Sequence, residues 1–544
     1  MKIKNSFYII ILTALCCVFT ALTQGFIISK DWMPGEIIIS VVVFYLVLGI
    51  VTFLLNKQKK LEGSVLFYLF FILAMFIRSY YIFFTGLHDR QHDEGFYTSL
   101  LNNDINPGHL GYVEYLCKFH TLPKMNPYAL YSYYHPPLHF IISAIWVLIQ
   151  VHLGVSELVA FTNIQVLTLL YSALCLIILY DVLKMFTKNE RLQLLGLSLV
   201  AFHPAFICMS GSVNNDMLAT VFLLLCLNLS FRWINDKSFK WLILDGLCIA
   251  FGMLTKLNVA TVALPLGVLM LMEFISAFIS FRKKEPGADK FFFTTLKDYI
   301  IFALVTGIIG TSNILRNLIG YGELPGIYAP KVTDVMYTGD YNYWQRFGLC
   351  LDYIQWHFEF PFHPKSGDVI HNLWIIMFQT GLFTEVYPAG LSPIPLFLCQ
   401  LAYISSIIAA ICCAIYFTLH QIKLFQSKQQ KNKAISIFLL LSYYPLLFSF
   451  ILFSIKYPYT CSGDFRYVVI SLAYMGISLA VAPFKLFALD AANTSEEAPL
   501  IISLKKVKAV QVFYKVTVIS TLFTLALITL IYLVSIGGSR WLFL

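Results

Sequence analysis

The sequence predicts an all-helical, polytopic membrane protein. Of its 544 residues 59% are hydrophobic and only 12% charged, the mean hydropathy is +0.75, and the apolar residues gather into runs of roughly 18 or more, enough to cross a hydrocarbon core of about 30 Å. A soluble fold of this length has too little interior for so much apolar side chain.

The runs fall at 7–28, 37–55, 64–85, 158–184, 192–210, 217–233, 241–256, 258–279, 298–317, 393–419, 435–456, 467–488 and 513–536. The first follows Met1-Lys2-Ile3-Lys4 but is longer than a signal-peptide core and is closed by no small-x-small site, so it reads as a retained helix. The stretch 137–153 is equally apolar, and charge decides its status. Lys57, Lys59, Lys60, Lys184, Lys188, Arg191, Lys237, Lys240, Arg282, Lys283, Lys284, Lys423, Lys428, Lys431, Lys433, Lys505, Lys506 and Lys508 crowd the short loops between runs. A crossing at 137–153 would invert every later loop and put several of these clusters outside. Laid along the surface instead, 137–153 leaves about 13 spans, with about 24 of the 38 Lys and Arg on the inner side. The N-terminus is then cytoplasmic, and the loops 86–157, 211–216, 318–392 and 457–466 share the outer face. This distribution also accounts for the net charge of +9 without a nucleic-acid partner.

Most of the twelve cysteines, such as Cys16, Cys17, Cys175, Cys226, Cys248, Cys412 and Cys413, fall within spans, where Cys packs as a small apolar residue. Only Cys117, Cys350 and Cys461 read as external, and no CxxC or zinc spacing occurs, which argues against a disulfide framework or metal cluster. The organisation is two N-terminal spans (1–63), a membrane domain (64–488) with outer loops 86–157 and 318–392, and a linker-like inner segment leading to a last, peripheral helix (489–544). No internal repeat is evident.

The polar residues that break this pattern cluster at the outer rim. His92-Asp93-Glu94-Gly95-Phe96-Tyr97 follows the aromatic end of the third span, Tyr80, Tyr81, Phe83 and Phe84. A carboxylate there can act as a general base toward a hydroxyl or amine, or the acidic pair can simply be a solvated helix start. Tyr134-His135-Pro136-Pro137-Leu138-His139 places two imidazoles and a phenol around a proline turn, fit to hold a phosphate or sugar; an aromatic belt with a proline break explains the same residues. Asn214-Asn215-Asp216 stands at the end of the span containing Phe202-His203-Pro204, either lining a cavity or capping the following helix. Thr255-Lys256 and Arg316-Asn317 put cations at span ends, for a lipid-linked phosphate or for snorkelling. Asp464-Phe465-Arg466-Tyr467 adds an acid and a guanidinium, which can also pair internally. The long segment 318–392, with Tyr337, Tyr341, Tyr343, Trp344, Trp356, His357, His363 and Trp374, suits acceptor recognition or a structural plug.

Taken in order, Asp93-Glu94, His135-Pro136-Pro137-Leu138, Asn215-Asp216, Thr255-Lys256, Arg316-Asn317 with Tyr321-Gly322, and Asp464-Phe465-Arg466-Tyr467 resemble the GT-C class of integral membrane glycosyltransferases. The likeness is to protein O-mannosyltransferases and to the bacterial aminoarabinose transferases acting on lipid A. The resemblance implies inverting transfer of one sugar from a polyprenyl-phosphate donor to a lipid, glycan or protein acceptor at the outer face of a prokaryotic plasma membrane. By it Asp93 is the base or acceptor-orienting carboxylate, with Glu94 beside it and Asp216 as second acid. His135, at the position where the aminoarabinose transferases carry a lysine, joins Lys256 and Arg316 on the donor phosphate. His92, Tyr97, Tyr134, His139, Asn215, Asp464 and Arg466 line the substrate site. A divalent ion bridged by Asp93, Glu94 and Asp216 suits such oxygens, but the class is divided on metal use and no cofactor is assigned. Two spans before the Asp93 loop depart from the usual arrangement while preserving its sidedness. A transporter or lipid flippase, and a polymerase or ligase joining lipid-linked glycans, are the alternative readings. The first would favour paired broken helices and an internal repeat.

Overall fold

A computed structural model describes residues 10–18, 20–21, 34–58, 60, 64–84, 108–130, 132–325, 337–348, 361, 371–384, 393–481 and 508–536. Among these the chain is all-helical, and the only β pairing is an isolated bridge between Tyr337 and Tyr459.

Among the described residues, eight helices are long and apolar enough to cross a membrane: Val65–Phe83, Glu157–Phe186, Asp216–Asp236, Leu257–Arg282, Ala288–Gly310, Pro393–Phe425, Gln430–Lys456 and Gln511–Ile531. Each overlaps a run expected to span. Of the other apolar runs, 37–55 lies within the helix Pro34–Lys57, and the stretch 137–153, expected to lie along the surface and not to span, forms Leu138–His152. Leu138–His152 and Phe239–Met253 each have 15 residues, about 22 Å of helix, so neither reaches across a hydrocarbon core unaided. The run 192–210 is a helix in two pieces, Glu190–Ala201 and Pro204–Met209. Pro204 causes the break, because the residue before a proline is pushed out of the helical region, and His203 is accordingly extended at φ −72°, ψ 131°. The run 298–317 is also divided, into Ala288–Gly310, which starts ten residues earlier than expected, and the short Ser312–Tyr321. In 467–488, a 3-10 turn at Phe465–Val468 leads to Ser471–Leu479.

The core is one continuous apolar cluster drawn from nearly all of these helices, with Phe71, Cys175, Leu197, Phe206, Leu224, Phe417 and Ile477 fully enclosed. Glu190–Ala201 crosses Ser471–Leu479 at Gly196 and Gly476, where a Cβ on either residue would overlap the other's carbonyl oxygen. A second, smaller cluster packs Gly108–Phe119, a helix not anticipated in the 86–157 loop, onto Leu138–His152 through Leu110, Tyr112, Val113, Phe140 and Val147. The last helix, Lys508–Ile536, packs along Pro393–Phe425 and ties Tyr514 Oη to the Leu479 carbonyl at 2.7 Å.

The polar segments gather at one end of this bundle. Leu138 N donates to Leu254 O at 2.9 Å, Asn215 Nδ2 to Thr255 O at 2.6 Å, and Thr338 N to Pro458 O at 2.9 Å. At the other end the basic loops make their own contacts, Lys237 with Glu273 and Lys431 with Asn235.

Candidate functional site

The site is organised by the turn 210–216, which joins the broken helix to Asp216–Asp236. A tight turn leaves carbonyls that no helix satisfies, and here side chains from two neighbouring helices take them. Thr168 Oγ1 donates to Ser210 O at 2.9 Å, Gln165 Nε2 to Gly211 O at 2.9 Å, and His139 Nε2 to Val213 O at 2.9 Å. Within the turn, Asn214 Oδ1 accepts from Asp216 N at 3.1 Å. Asp216 is thus delivered at the first residue of its helix, buried and held from both sides.

Its carboxylate faces two cations. Lys256 Nζ pairs with Oδ1, and Arg466 Nη1 lies 3.7 Å from Oδ2. Arg466 is held in turn by Asp464, whose Oδ1 accepts from the Arg466 N–H at 2.8 Å and whose Oδ2 stands 3.9 Å from Nε. Tyr467 closes the group, with Lys256 Nζ 5.1 Å and Arg466 Cζ 5.4 Å from its ring. Two acids and two cations therefore compensate one another at the end of the bundle. A buried charge is tolerable only with such partners.

Beside this quartet stands an aromatic wall. His135 stacks on His109 at 5.2 Å and meets Tyr134 at a tilt with centroids 4.4 Å apart, His109 stacks on Phe140 at 5.7 Å, and Tyr134 on Tyr128 at 6.0 Å. Arg316 makes its contacts elsewhere in the same region, donating to the Pro123 carbonyl and, at 3.2 Å, to Asn317 Oδ1. The adjoining loop is fastened by Asn126 Nδ2 to Glu323 Oε1 at 2.8 Å.

Of the residues expected at the site, Asp216, Asn215, Lys256, Asp464, Arg466 and His139 therefore meet, while His135 and Tyr134 form the adjoining wall and Arg316 braces a neighbouring loop. His92, Asp93, Glu94 and Tyr97 lie outside the described residues, as does Cys350; neither Cys117 nor Cys461 is in a disulfide. His109 is a member that sequence reasoning missed. Its signal was the Asn106-Pro107-Gly108 turn, which marks a helix start within what reads as loop.

His139 is a structural member. Burial pushes its imidazole down to about 4 despite the opposing pull of the Val213 carbonyl, so it stays neutral and donates to that carbonyl. Since the unfolded side chain, with an ordinary value of 6.5, takes up a proton that the folded one resists, stability is expected to fall as pH drops from about 6.5 toward 4. His139→Gln should flatten thermal midpoints over that window. An unchanged acid slope in this variant would remove His139 from the account.

Behind the quartet a cavity of about 540 Å³ opens among apolar side chains. His203 and Phe465, stacked at 4.9 Å, line it together with Met377, Leu447, Met475 and Leu525.

No curated protein matches the chain. Residues 134–286 match the model of the dolichyl-phosphate-mannose-protein mannosyltransferase family, and that stretch contains His135, His139, Asn215, Asp216 and Lys256. Arg466 and Asp464 join it from outside the match. Over the matched stretch, which is well under half of the chain, this protein is similar to membrane glycosyltransferases of the GT-C type, mannosyltransferase-like in family, and an all-helical membrane architecture accompanies that likeness.

Proposed function

We propose that the protein transfers a sugar from a polyprenyl-phosphate donor to a hydroxyl or amine acceptor at the Asp216 end of the bundle, on the outer face of the membrane, by a single inverting displacement. The observation that carries the reading is the buried Lys256–Asp216–Arg466 arrangement. A departing phosphate needs fixed cations in a partly desolvated place, and these two are preorganised by carboxylates that hold them without the donor. Asp216 is on this account a counter-ion that aims Lys256 and Arg466, since both its oxygens already face cations. For the same reason it is poorly suited to bridge a divalent ion, and no step here is routed through one.

The proton then falls to Asp93. As the acceptor oxygen or nitrogen bonds to the anomeric carbon, the bond from that carbon to the phosphate oxygen breaks, the electron pair leaves with the phosphate, and Asp93 takes the acceptor proton. The apolar cavity behind His203 and Phe465 supports a prenyl chain entering beside the quartet.

The test is transfer of labelled sugar from a panel of polyprenyl-phosphate sugars by purified protein in lipid, beside Asp93→Asn. Donor-dependent transfer by the wild type, reduced at least a hundredfold in Asp93→Asn with donor binding retained, is expected. Wild-type protein that binds no donor of the panel, or moves lipid across the bilayer without transfer, would replace the reading with transport. Near-normal turnover in Asp93→Asn would remove that residue as base.

A further inference from the structure

Arg78 lies in the helix Ser64–Phe84, inside an apolar run, and it is completely buried. No carboxylate pairs with it among the described residues. An unpaired guanidinium in a membrane interior is costly, and its persistence calls for a compensating role.

Its hydrogen bonds identify that role. Nη1 donates to Ala201 O at 2.6 Å and to its own helix at Ala74 O at 3.0 Å; Nη2 donates to Val200 O at 2.9 Å; Nε donates to Ser172 Oγ at 2.7 Å. Val200 and Ala201 are the last residues before the break. In an unbroken helix their carbonyls would accept from the N–H groups four residues on. Residue 204 is proline and has none. The N–H of Ala205 is engaged instead by His203 Nδ1 at 3.3 Å. The Val200 and Ala201 carbonyls, both deprived of those partners at the break, are taken by Arg78. A guanidinium is the side chain suited to this, because its rigid fork serves two adjacent carbonyls and a hydroxyl at once.

We infer that Arg78 is a positioning residue for the candidate site: by satisfying Val200 and Ala201 it holds the helix break at His203, and so aims the 203–216 segment that carries Asp216. The activity part of this inference rests on the proposed glycosyl transfer; the structural part does not.

Two readouts separate them. In full-length Arg78→Met purified in lipid, amide hydrogen exchange in 198–216 should rise at least tenfold while the spans Gln430–Lys456 and Ala288–Gly310 keep wild-type protection. Sugar transfer should lose at least tenfold in kcat with KM for the donor within about threefold. Arg78→Lys, which keeps the charge but not the fork, should remain defective in both. Pro204→Ala restores an N–H opposite Val200 O, so Arg78→Met/Pro204→Ala should regain thermal stability and protection yet not kcat, because the break itself is lost. Folded Arg78→Met with wild-type exchange in 198–216 would overturn the inference whatever its activity. So would a double variant that recovers nothing. Altered exchange in a protein whose wild type transfers no sugar would leave the break-holding role supported and defeat the functional reading instead.

Discussion

Gly476→Val is expected to abolish recovery of folded protein, and Gly476→Ala to lower the thermal midpoint clearly. At the crossing of Glu190–Ala201 and Ser471–Leu479 each glycine meets the carbonyl oxygen of the other. The obstacle to a new Cβ is backbone, which cannot rotate away as a side-chain tip can, so the two helices must separate. Overpacking in a well-filled core costs about 1–3 kcal/mol when side chains can adjust; with backbone on both sides the upper part of that range, or more, is the expectation for valine. The consequence reaches the site, because one helix ends at the His203 break and the other begins just after Asp464-Phe465-Arg466. Pushing them apart would also part His203 from Phe465 and draw Arg466 from Asp216. Thermal unfolding in detergent, read beside Gly196→Ala, is the check. A valine variant that is monodisperse with an unchanged midpoint would show that the crossing is not close.

Asp216→Asn and Lys256→Met should each eliminate sugar transfer and each destabilise the protein. Removing one partner of a buried pair costs about 3–5 kcal/mol, because the other charge is left without compensation. The losses are not expected to add. Asp216→Asn strands Lys256 and Arg466 together, two like charges held near Tyr467, whereas Asp216→Asn/Lys256→Met removes one cation along with the acid. The double variant should therefore be more stable than the sum of the single losses by about 0.5–3 kcal/mol, the usual range for residues in contact. Transfer should stay absent in it, since only Arg466 then remains of the two cations that Asp216 aims. Thermal midpoints of the four proteins settle the coupling, and labelled-sugar transfer settles the chemistry. Additive midpoints would mean that Lys256 and Asp216 do not act as a pair.

Much of this was readable along the chain, and the exceptions have identifiable causes. The eight long spans follow from runs of apolar side chains, a signal that is local and survives any packing. Reading 192–210 as one span overlooked Pro204, although a proline inside an apolar run is a local warning of a break. Gly108–Phe119 escaped because its mixed polar and aromatic side chains, including Glu114 and Lys118, lack the apolar continuity that marks a span. At the site, Asp216, Lys256, Asp464 and Arg466 stand out along the chain, but in three separate motifs. Residue chemistry alone groups Lys256 with Arg316, and only the fold shows that Lys256 pairs with Asp216 while Arg316 donates to the Pro123 carbonyl. Arg78 drew no notice, since a single cation within a strongly apolar segment leaves the hydropathy of that segment almost unchanged.

Composition and periodicity therefore sufficed to establish a helical membrane protein, the places of its long spans and the polar residues that do not belong in lipid, because the cost of exposing a polar group to hydrocarbon is paid residue by residue. Which of those residues touch is a different matter. The pairing of Asp216 with Lys256 and Arg466, the service of Arg78 to Val200 and Ala201, and the meeting of Gly196 with Gly476 depend on how helices far apart in the chain are rotated and crossed. A charge or a glycine looks the same in the sequence whatever stands opposite it. Its partner is set by the packing of the whole bundle.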